Sequence, residues 1–186
     1  MNKRFFLTAA LTLAALAVMN VSEAAAQRQS HTGPVIHSAG AVYEVPAPTF
    51  ATNMDQEYKV AFEIAGASSQ PDRLNQSLNT VARFLNMHAQ AGLPRDQVHV
   101  AVVVHGGSSF ELMDNEQYRK KFGVDNPNAE LIRELVSSGT PVVVCGQSAA
   151  SRGIEREHLL PGVQMALSAM TAFAVLQEQG FKVNPW

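Results

Sequence analysis

Cys145 is the side chain of this sequence best suited to nucleophilic chemistry. It is the only cysteine in 186 residues, and it stands where the apolar run 141–144 meets Gly146. A lone cysteine cannot close a disulfide within its own chain, so in an oxidising compartment it is either a buried bystander or a reactive thiol. Without a resolving thiol the chain cannot be a self-contained disulfide oxidoreductase, but a mixed disulfide or a persulfide remains open.

The residues after Cys145 are of types that stabilise a thiolate. Gly146 and Gln147 are expected to expose backbone N–H groups, and a helix starting near Ser148 would direct its positive end at the sulfur. The place at the end of a strand and the glycine that follows favour a reactive thiol. The alternative is a small hydrophobic side chain that closes the strand and is inert because it is buried.

A serine hydrolase is the other nucleophilic chemistry that this region suggests. The run 146–150 nearly matches the nucleophile elbow Gly-x-Ser-x-Gly, and Glu155, Glu157 and His158 follow in the order of a hydrolase triad. The last glycine of the motif is replaced by alanine, however, and the acid and base lie too close in sequence to come from separate strands. We therefore interpret Ser148 as a helix cap or an anion contact.

His105 is the histidine best placed to assist, because it ends a predicted strand and precedes Gly106. It could lower the pKa of Cys145 or orient an anion; a loop histidine bonded to the backbone is the alternative. His99 lies on the same strand about 20 Å away, so the two histidines cannot share a metal ion. No metal or cofactor motif is evident, and Gly106-Gly107 alone is too weak a signal for a phosphate loop.

The elements that position these residues alternate between strand and helix from Tyr58 onward. The predicted strands are residues 59–64, 98–104, 141–145 and 181–183. The first predicted helix begins at Pro71, is capped by Ser68, Ser69 or Gln70, and is stopped by Gly92 and Pro94. Three more helices are predicted at residues 115–122, 127–138 and 163–179. The order βαβααβαβ predicts a three-layer α/β/α sandwich with a mostly parallel sheet. Ligands bind such sheets at the carboxyl ends of the strands, where Cys145 and His105 would lie.

The start of the chain predicts export. Residues 1–26 combine Lys3 and Arg4, an apolar run and Ala26 before a cleavage site, which is typical of a secretory signal peptide. No later stretch approaches the roughly 20 apolar residues of a membrane span. We expect a periplasmic or secreted protein without a membrane span after signal cleavage.

The remaining chain divides at about residue 55. Residues 27–54 lack periodicity and predict a flexible arm or linker, whose Val35-Ile36 and Val42-Tyr43 pairs would dock on a partner subunit or, alternatively, stay solvated. Residues 55–186 form the predicted domain. The net charge of −2, from 14 basic and 16 acidic residues, excludes the electrostatic footprint of a nucleic-acid-binding protein.

Three runs resemble the DsrE/DsrF-like family: residues 141–149, the helix 131–135 with its Gly139 stop, and residues 102–106. The likeness extends over about residues 58–183. It implies a flavodoxin-like, three-layer subunit that assembles into dimers, trimers or hexamers. In the sulfur-relay branch it also implies a cysteine that carries persulfide sulfur from a protein donor to a protein acceptor, and Cys145 would inherit that role.

Two functional hypotheses follow. The first is a periplasmic sulfur carrier or sulfurtransferase in which Cys145 and His105 are catalytic. Its substrate-binding residues would be Gly106, Gly146, Gln147 and Ser148. The second is a non-catalytic oligomeric module that binds a small anion or a protein, with Cys145 in a structural role.

Overall fold

The computed structural model describes residues 29–185. Five strands form one sheet in the order β4-β3-β2-β1-β5, and every pair is parallel. The strands are β1 (Tyr58–Ile64), β2 (Val98–Val104), β3 (Val142–Cys145), β4 (Gln164–Ala166) and β5 (Lys182–Pro185). The predicted signal peptide lies outside the described residues.

Five α-helices connect or cover these strands. They are α1 (Gln76–Gln90), α2 (Asn115–Phe122), α3 (Ala129–Ser137), α4 (Gly146–Ala150) and α5 (Ala169–Glu178). Short 3₁₀ helices occur at Arg95–Gln97, Gly106–Leu112 and Arg156–His158. No helix within residues 29–185 is long and apolar enough to cross a bilayer.

The two faces of the sheet carry cores of different size. The even-numbered residues of β2, from Val98 to Val104, pack into the larger core with residues of α1 and α3. The odd-numbered Ala101 and Val103 pack into a smaller core with α5. Because β2 is covered on both faces, its sequence is apolar at every position except His99. The predicted α/β class and the parallel sheet with helices on both faces are confirmed.

The helix predicted over residues 163–179 is wrong in its first part. Residues 164–166 form the edge strand β4, which pairs with β3, and α5 begins only at Ala169. Ser168 ends the intervening turn and caps α5, since its hydroxyl oxygen accepts the N–H of Thr171 at 3.0 Å. A strand of three residues is too short for its periodicity to separate it from a following helix.

The first helix also starts later than predicted. Residues 71–73 form a turn, and α1 begins at Gln76 because the side-chain oxygen of Asn75 accepts the N–H groups of Ser77 and Leu78. None of the residues expected to cap the helix, Ser68, Ser69 and Gln70, does so. The third helix likewise begins at Ala129 rather than residue 127.

Residues 31–42 pack on their own subunit, where the sequence predicted an extended arm. Ile36 is fully buried, and Asn86 of α1 holds the surrounding backbone. Its side-chain oxygen accepts the N–H groups of Val35 and Ile36, while its amide donates to the carbonyls of Ile36, Ala39 and Gly40. The segment lacks a periodic pattern because its backbone is satisfied by side chains and by one isolated bridge between His31 and Val42, not by a strand ladder. Residues 43–54 are exposed.

Replacing Asn86 by alanine is expected to lower the free energy of unfolding by about 2–4 kcal/mol, because each buried backbone group left without a partner costs about 1–3 kcal/mol. Chemical denaturation would measure the loss, and limited proteolysis would show faster cleavage within residues 31–42. The matched control is Asn53→Ala at an exposed position, expected within about 0.5 kcal/mol of wild type. Equal stability of the two variants would contradict this role for Asn86.

Candidate functional site

Cys145 lies at the carboxyl end of β3, where the sequence placed it, and serves as the N-cap residue of α4. Its relative exposure is 6%. The residue pairs with Ala166 across the β3–β4 ladder. The thiol is thus enclosed near the edge of the sheet at which parallel α/β proteins bind their ligands.

Hydrogen-bond donors converge on the sulfur of Cys145. Burial alone would raise the pKa of this thiol, but the backbone N–H and hydroxyl of Ser148 and the backbone N–H groups of Ala169 and Gln147 act in the other direction. Together these donors outweigh burial and hold the pKa of Cys145 below its usual range. A lowered pKa increases the thiolate fraction near neutral pH, and the thiolate is the nucleophilic form.

These donors come from the starts of two helices. Gln147 and Ser148 belong to the first turn of α4, and Ala169 is the first residue of α5. The sequence predicted the donors at the start of α4. It did not predict the donor from α5, because the predicted helix 163–179 included β4 and so concealed the true start of α5 after Ser168.

Ser148 links the loop after β2 to the thiol. Its hydroxyl oxygen accepts the N–H of Gly106 at 3.1 Å, and its hydroxyl donates toward Cys145. Gly106 has a φ of 59°, and a Cβ atom there would lie 2.8 Å from the carbonyl oxygen of Ala65. Glycine is therefore required where the β2 loop approaches Ser148.

Gly146 is constrained in a similar way beside the thiol. A Cβ atom at this position would lie 2.5 Å from the carbonyl oxygen of Ala166. The missing side chain allows the first turn of α4 to approach the turn after β4. Gly146 and Gln147 then line an open groove of about 610 Å³ along β4, together with Arg156.

His105 does not contact the thiol in the way the sequence suggested. Its Nε2 lies 2.9 Å from Oε1 of Glu63, and the imidazole is not among the groups that shift the pKa of Cys145. The sequence analysis did not anticipate Glu63. Its signal was the one acid of β1, near the carboxyl end of the strand and on the same side as the buried Ala61.

The hydrolase geometry is not present. The hydroxyl oxygen of Ser148 accepts the N–H of Gly106, and the same hydroxyl lowers the pKa of Cys145. His158 instead accepts the N–H of Glu155 through Nδ1 at 3.1 Å, within a capping box. Ser148 therefore has no imidazole base, which agrees with its interpretation as a contact residue.

Within residues 29–185, no group of three or more His, Cys, Asp or Glu side chains is arranged to hold a metal ion.

A family model described as the DsrE/DsrF-like family matches residues 57–185. The chain belongs to the DsrE/DsrF-like family. The resemblance drawn from the sequence runs is thereby confirmed, over almost the same range of residues. None of the curated proteins compared with this DsrE/DsrF-like chain matches it.

Two solved structures share the fold of this DsrE/DsrF-like chain. The protein MTH1491 from Methanobacterium thermoautotrophicum superimposes with a TM-score of 0.50 at 19% identity, covering 70% of this chain and 100% of its own. The ychN protein from E. coli superimposes with a TM-score of 0.52 at 17% identity, covering 69% of this chain and 99% of its own. At these identities the likeness concerns the fold.

Replacing Ser148 by alanine is expected to raise the pKa of Cys145, because one donor to the thiolate is lost and burial then weighs more. The pH midpoint of Cys145 alkylation would move upward, and the alkylation rate at pH 7 would fall. Rates measured with iodoacetamide between pH 5 and 10 test this, with exposed Ser137→Ala of α3 as control. A midpoint that stays in place or moves down would contradict the assignment.

Proposed function

We propose that this DsrE/DsrF-like chain is an exported sulfur carrier that holds sulfane sulfur as a persulfide on Cys145. The observation that carries the proposal is the set of donors from α4 and α5 that converge on the sulfur and lower its pKa. Membership of a family with a sulfur-relay-related fold supports the same chemistry. The signal-peptide pattern of residues 1–26 supports action in the periplasm or outside the cell.

The proposed step is an exchange between the Cys145 thiolate and a persulfide. The Cys145 thiolate attacks the outer sulfur of a donor persulfide, R–S–SH. A new S–S bond forms at Cys145 as the donor's S–S bond breaks, and the donor leaves as the thiolate R–S⁻. An acceptor thiolate repeats the step on loaded Cys145 and restores the free thiolate, so no external oxidant or reductant is required.

The neighbouring residues divide into those that act on the thiolate and those that meet the substrate. Ser148 and the Gln147 backbone stabilise the thiolate. Gly146 and the Gln147 side chain line the groove along β4 through which a donor or acceptor would approach. Gly106 acts through Ser148, whose hydroxyl it orients.

We also propose that the protein self-associates through α5 and the adjoining edge of the sheet. Leu167 and Met170 are 73% and 80% exposed, and Met165 of β4 and Val175 of α5 are exposed as well. We call these four residues the α5 surface. Apolar side chains grouped on one helix and its edge strand are typical of a protein–protein interface. The assemblies expected from the family are dimers, trimers or hexamers.

The function is tested by exposing the purified protein to a polysulfide and measuring its intact mass. A carrier gains one or more sulfur atoms, and dithiothreitol removes them. Failure of the folded protein to gain any sulfur would contradict the proposal.

The low exposure of Cys145 favours one other candidate, a non-catalytic binding module in which the cysteine is structural. A bulky maleimide separates the two functions. The carrier reacts with it in the folded state, whereas the structural cysteine reacts only after denaturation.

A further inference from the structure

We propose that Glu63 is a positioning residue for Cys145, holding His105 so that its imidazole accepts the proton that the thiol loses. This inference rests on the sulfur chemistry proposed above. It concerns three side chains at the carboxyl ends of three neighbouring strands. The carboxylate of the group was not expected from the sequence.

The strand register makes His105 and Cys145 lateral neighbours. Val104 of β2 pairs with Ile64 of β1 and with Val144 of β3. His105 continues β2 by one extended residue, since its N–H donates to the carbonyl of Ile64 at 2.9 Å. Cys145 occupies the matching place on β3, one strand spacing of about 4.8 Å away.

The strands do not separate beyond this point. The next residue of the β2 loop, Gly106, still donates its N–H to Ser148 of α4 at 3.1 Å. The distance between the ends of β2 and β3 is therefore fixed by a hydrogen bond just past His105 and Cys145.

All three side chains project from the same face of the sheet. Ala61, Val103 and Val143 belong to the small core under α5. Glu63, His105 and Cys145 each lie two residues further along their strands, so they face the α5 side as well. His105 and Cys145 are lateral neighbours, whereas Glu63 pairs with Val103 and so reaches His105 diagonally from β1.

The hydrogen bond to Glu63 determines which ring nitrogen of His105 can accept a proton. Oε1 of Glu63 lies 2.9 Å from Nε2 of His105, and both side chains are half-buried. A carboxylate in this place keeps the ring proton on Nε2, which leaves Nδ1 as the acceptor of the ring. The carboxylate also stabilises the imidazolium that forms when Nδ1 takes up a proton.

Few other charges act on this end of the sheet. The acid of α5, Glu178, lies at the far end of that helix, and Pro185 of β5 stands opposite Glu63. Glu111, in the 3₁₀ helix after His105, is occupied by Ser68 and Asn75. Arg152, after α4, donates to the carbonyl of Ser148 at 3.2 Å.

The proton balance of sulfur transfer then closes within the site. In the resting site His105 is bonded to Glu63 and makes no hydrogen bond to the thiol. When a donor persulfide binds, Nδ1 of His105 takes the proton of the neighbouring Cys145 thiol before the thiolate attacks. When the donor's S–S bond breaks, the imidazolium returns this proton to the departing thiolate R–S⁻. Cys145 keeps the transferred –SH group, and no net proton enters or leaves.

Glu63→Gln tests the positioning role, because glutamine keeps the size and a hydrogen bond but removes the charge. We expect alkylation of Cys145 by iodoacetamide at pH 7 to slow by on the order of tenfold, the lower end of what loss of a histidine's orienting partner costs in metal sites. The pH profile of this alkylation should also differ from that of wild type. Glu57→Gln, at the opposite end of β1 and exposed, is the matched control and should match wild type.

A double-mutant cycle with His105→Asn completes the test. If Glu63 acts through His105, the double variant is no slower than His105→Asn alone. An unchanged profile in Glu63→Gln, or fully additive losses in the double variant, would overturn the proposal. The readout is alkylation of the thiol, so an absence of sulfur loading would overturn the carrier function and leave the test of Glu63 intact.

Discussion

Replacing Cys145 by serine is expected to abolish sulfur loading completely while the subunit remains folded and assembled. The hydroxyl matches the thiol in shape, and the donors of α4 and α5 can bond to an oxygen. It cannot carry sulfane sulfur, because a serine oxygen is a far weaker nucleophile than a thiolate and cannot form the S–S bond of a persulfide. We expect a stability loss on the order of 1 kcal/mol, usual for a mild substitution in a buried site.

Intact mass after polysulfide treatment measures the loading of this variant, and thermal unfolding verifies its fold. Wild-type protein alkylated before treatment is the matched control, since it keeps the cysteine but blocks the sulfur. Both samples should show no gain that dithiothreitol reverses. A Cys145→Ser protein that still takes up reducible sulfur would show that loading occurs elsewhere.

Charging the α5 surface is expected to convert the proposed assembly to monomers. Leu167 and Met170 are the most exposed members of this surface. In a double variant, Leu167→Glu with Met170→Glu, an interface that covers both positions would have to bury two unpaired carboxylates. Burying an unpaired charge costs several kcal/mol, which exceeds the margin of an ordinary interface. Light scattering coupled to gel filtration gives the mass of each species.

Phe50→Glu is the matched control for the α5 surface. Phe50 is 92% exposed and lies in the exposed segment 43–54, away from α5. Its variant should keep the mass of the wild-type assembly. A wild-type protein that is already monomeric, or a charged variant that keeps its assembly, would contradict the proposed interface.

The elements that sequence reasoning located well carry their signals within themselves. The bounds of β2 and α2 agree with the prediction residue for residue. β2 is an apolar run that needs no partner to be recognised. α2 is framed by Asp114, whose side chain accepts the N–H of Gln117, and by Gly123 in a left-handed conformation.

The elements that sequence reasoning placed wrongly depend on contacts from distant parts of the chain. β4 contains three residues and is defined only by its pairing with β3. Residues 31–42 are ordered by Asn86 and Glu134, about 50 and 97 residues away. Neither partner is visible in the local pattern of residues 31–42.

In the candidate site, too, some residues could be predicted from the sequence and others could not. The position of Cys145 follows from the topology of parallel sheets, so the sequence alone places it at the carboxyl edge. The roles of Ala169 and Glu63 do not follow, because a backbone donor from another helix and a hydrogen bond between side chains of two strands are tertiary contacts. The assignment of His105 as a partner of the thiol stays a prediction. The structure adds that His105 is itself hydrogen-bonded to Glu63.

The most direct test of the carrier claim is the release of sulfane sulfur to cyanide. The protein would be loaded with polysulfide in the folded state, freed from the donor by gel filtration and treated with cyanide, which removes the outer sulfur of a persulfide as thiocyanate. The account predicts thiocyanate in an amount stoichiometric with Cys145 and recovery of the free thiol. Thiocyanate release only from protein that was denatured during loading would contradict it, because Cys145 would then be a buried structural residue.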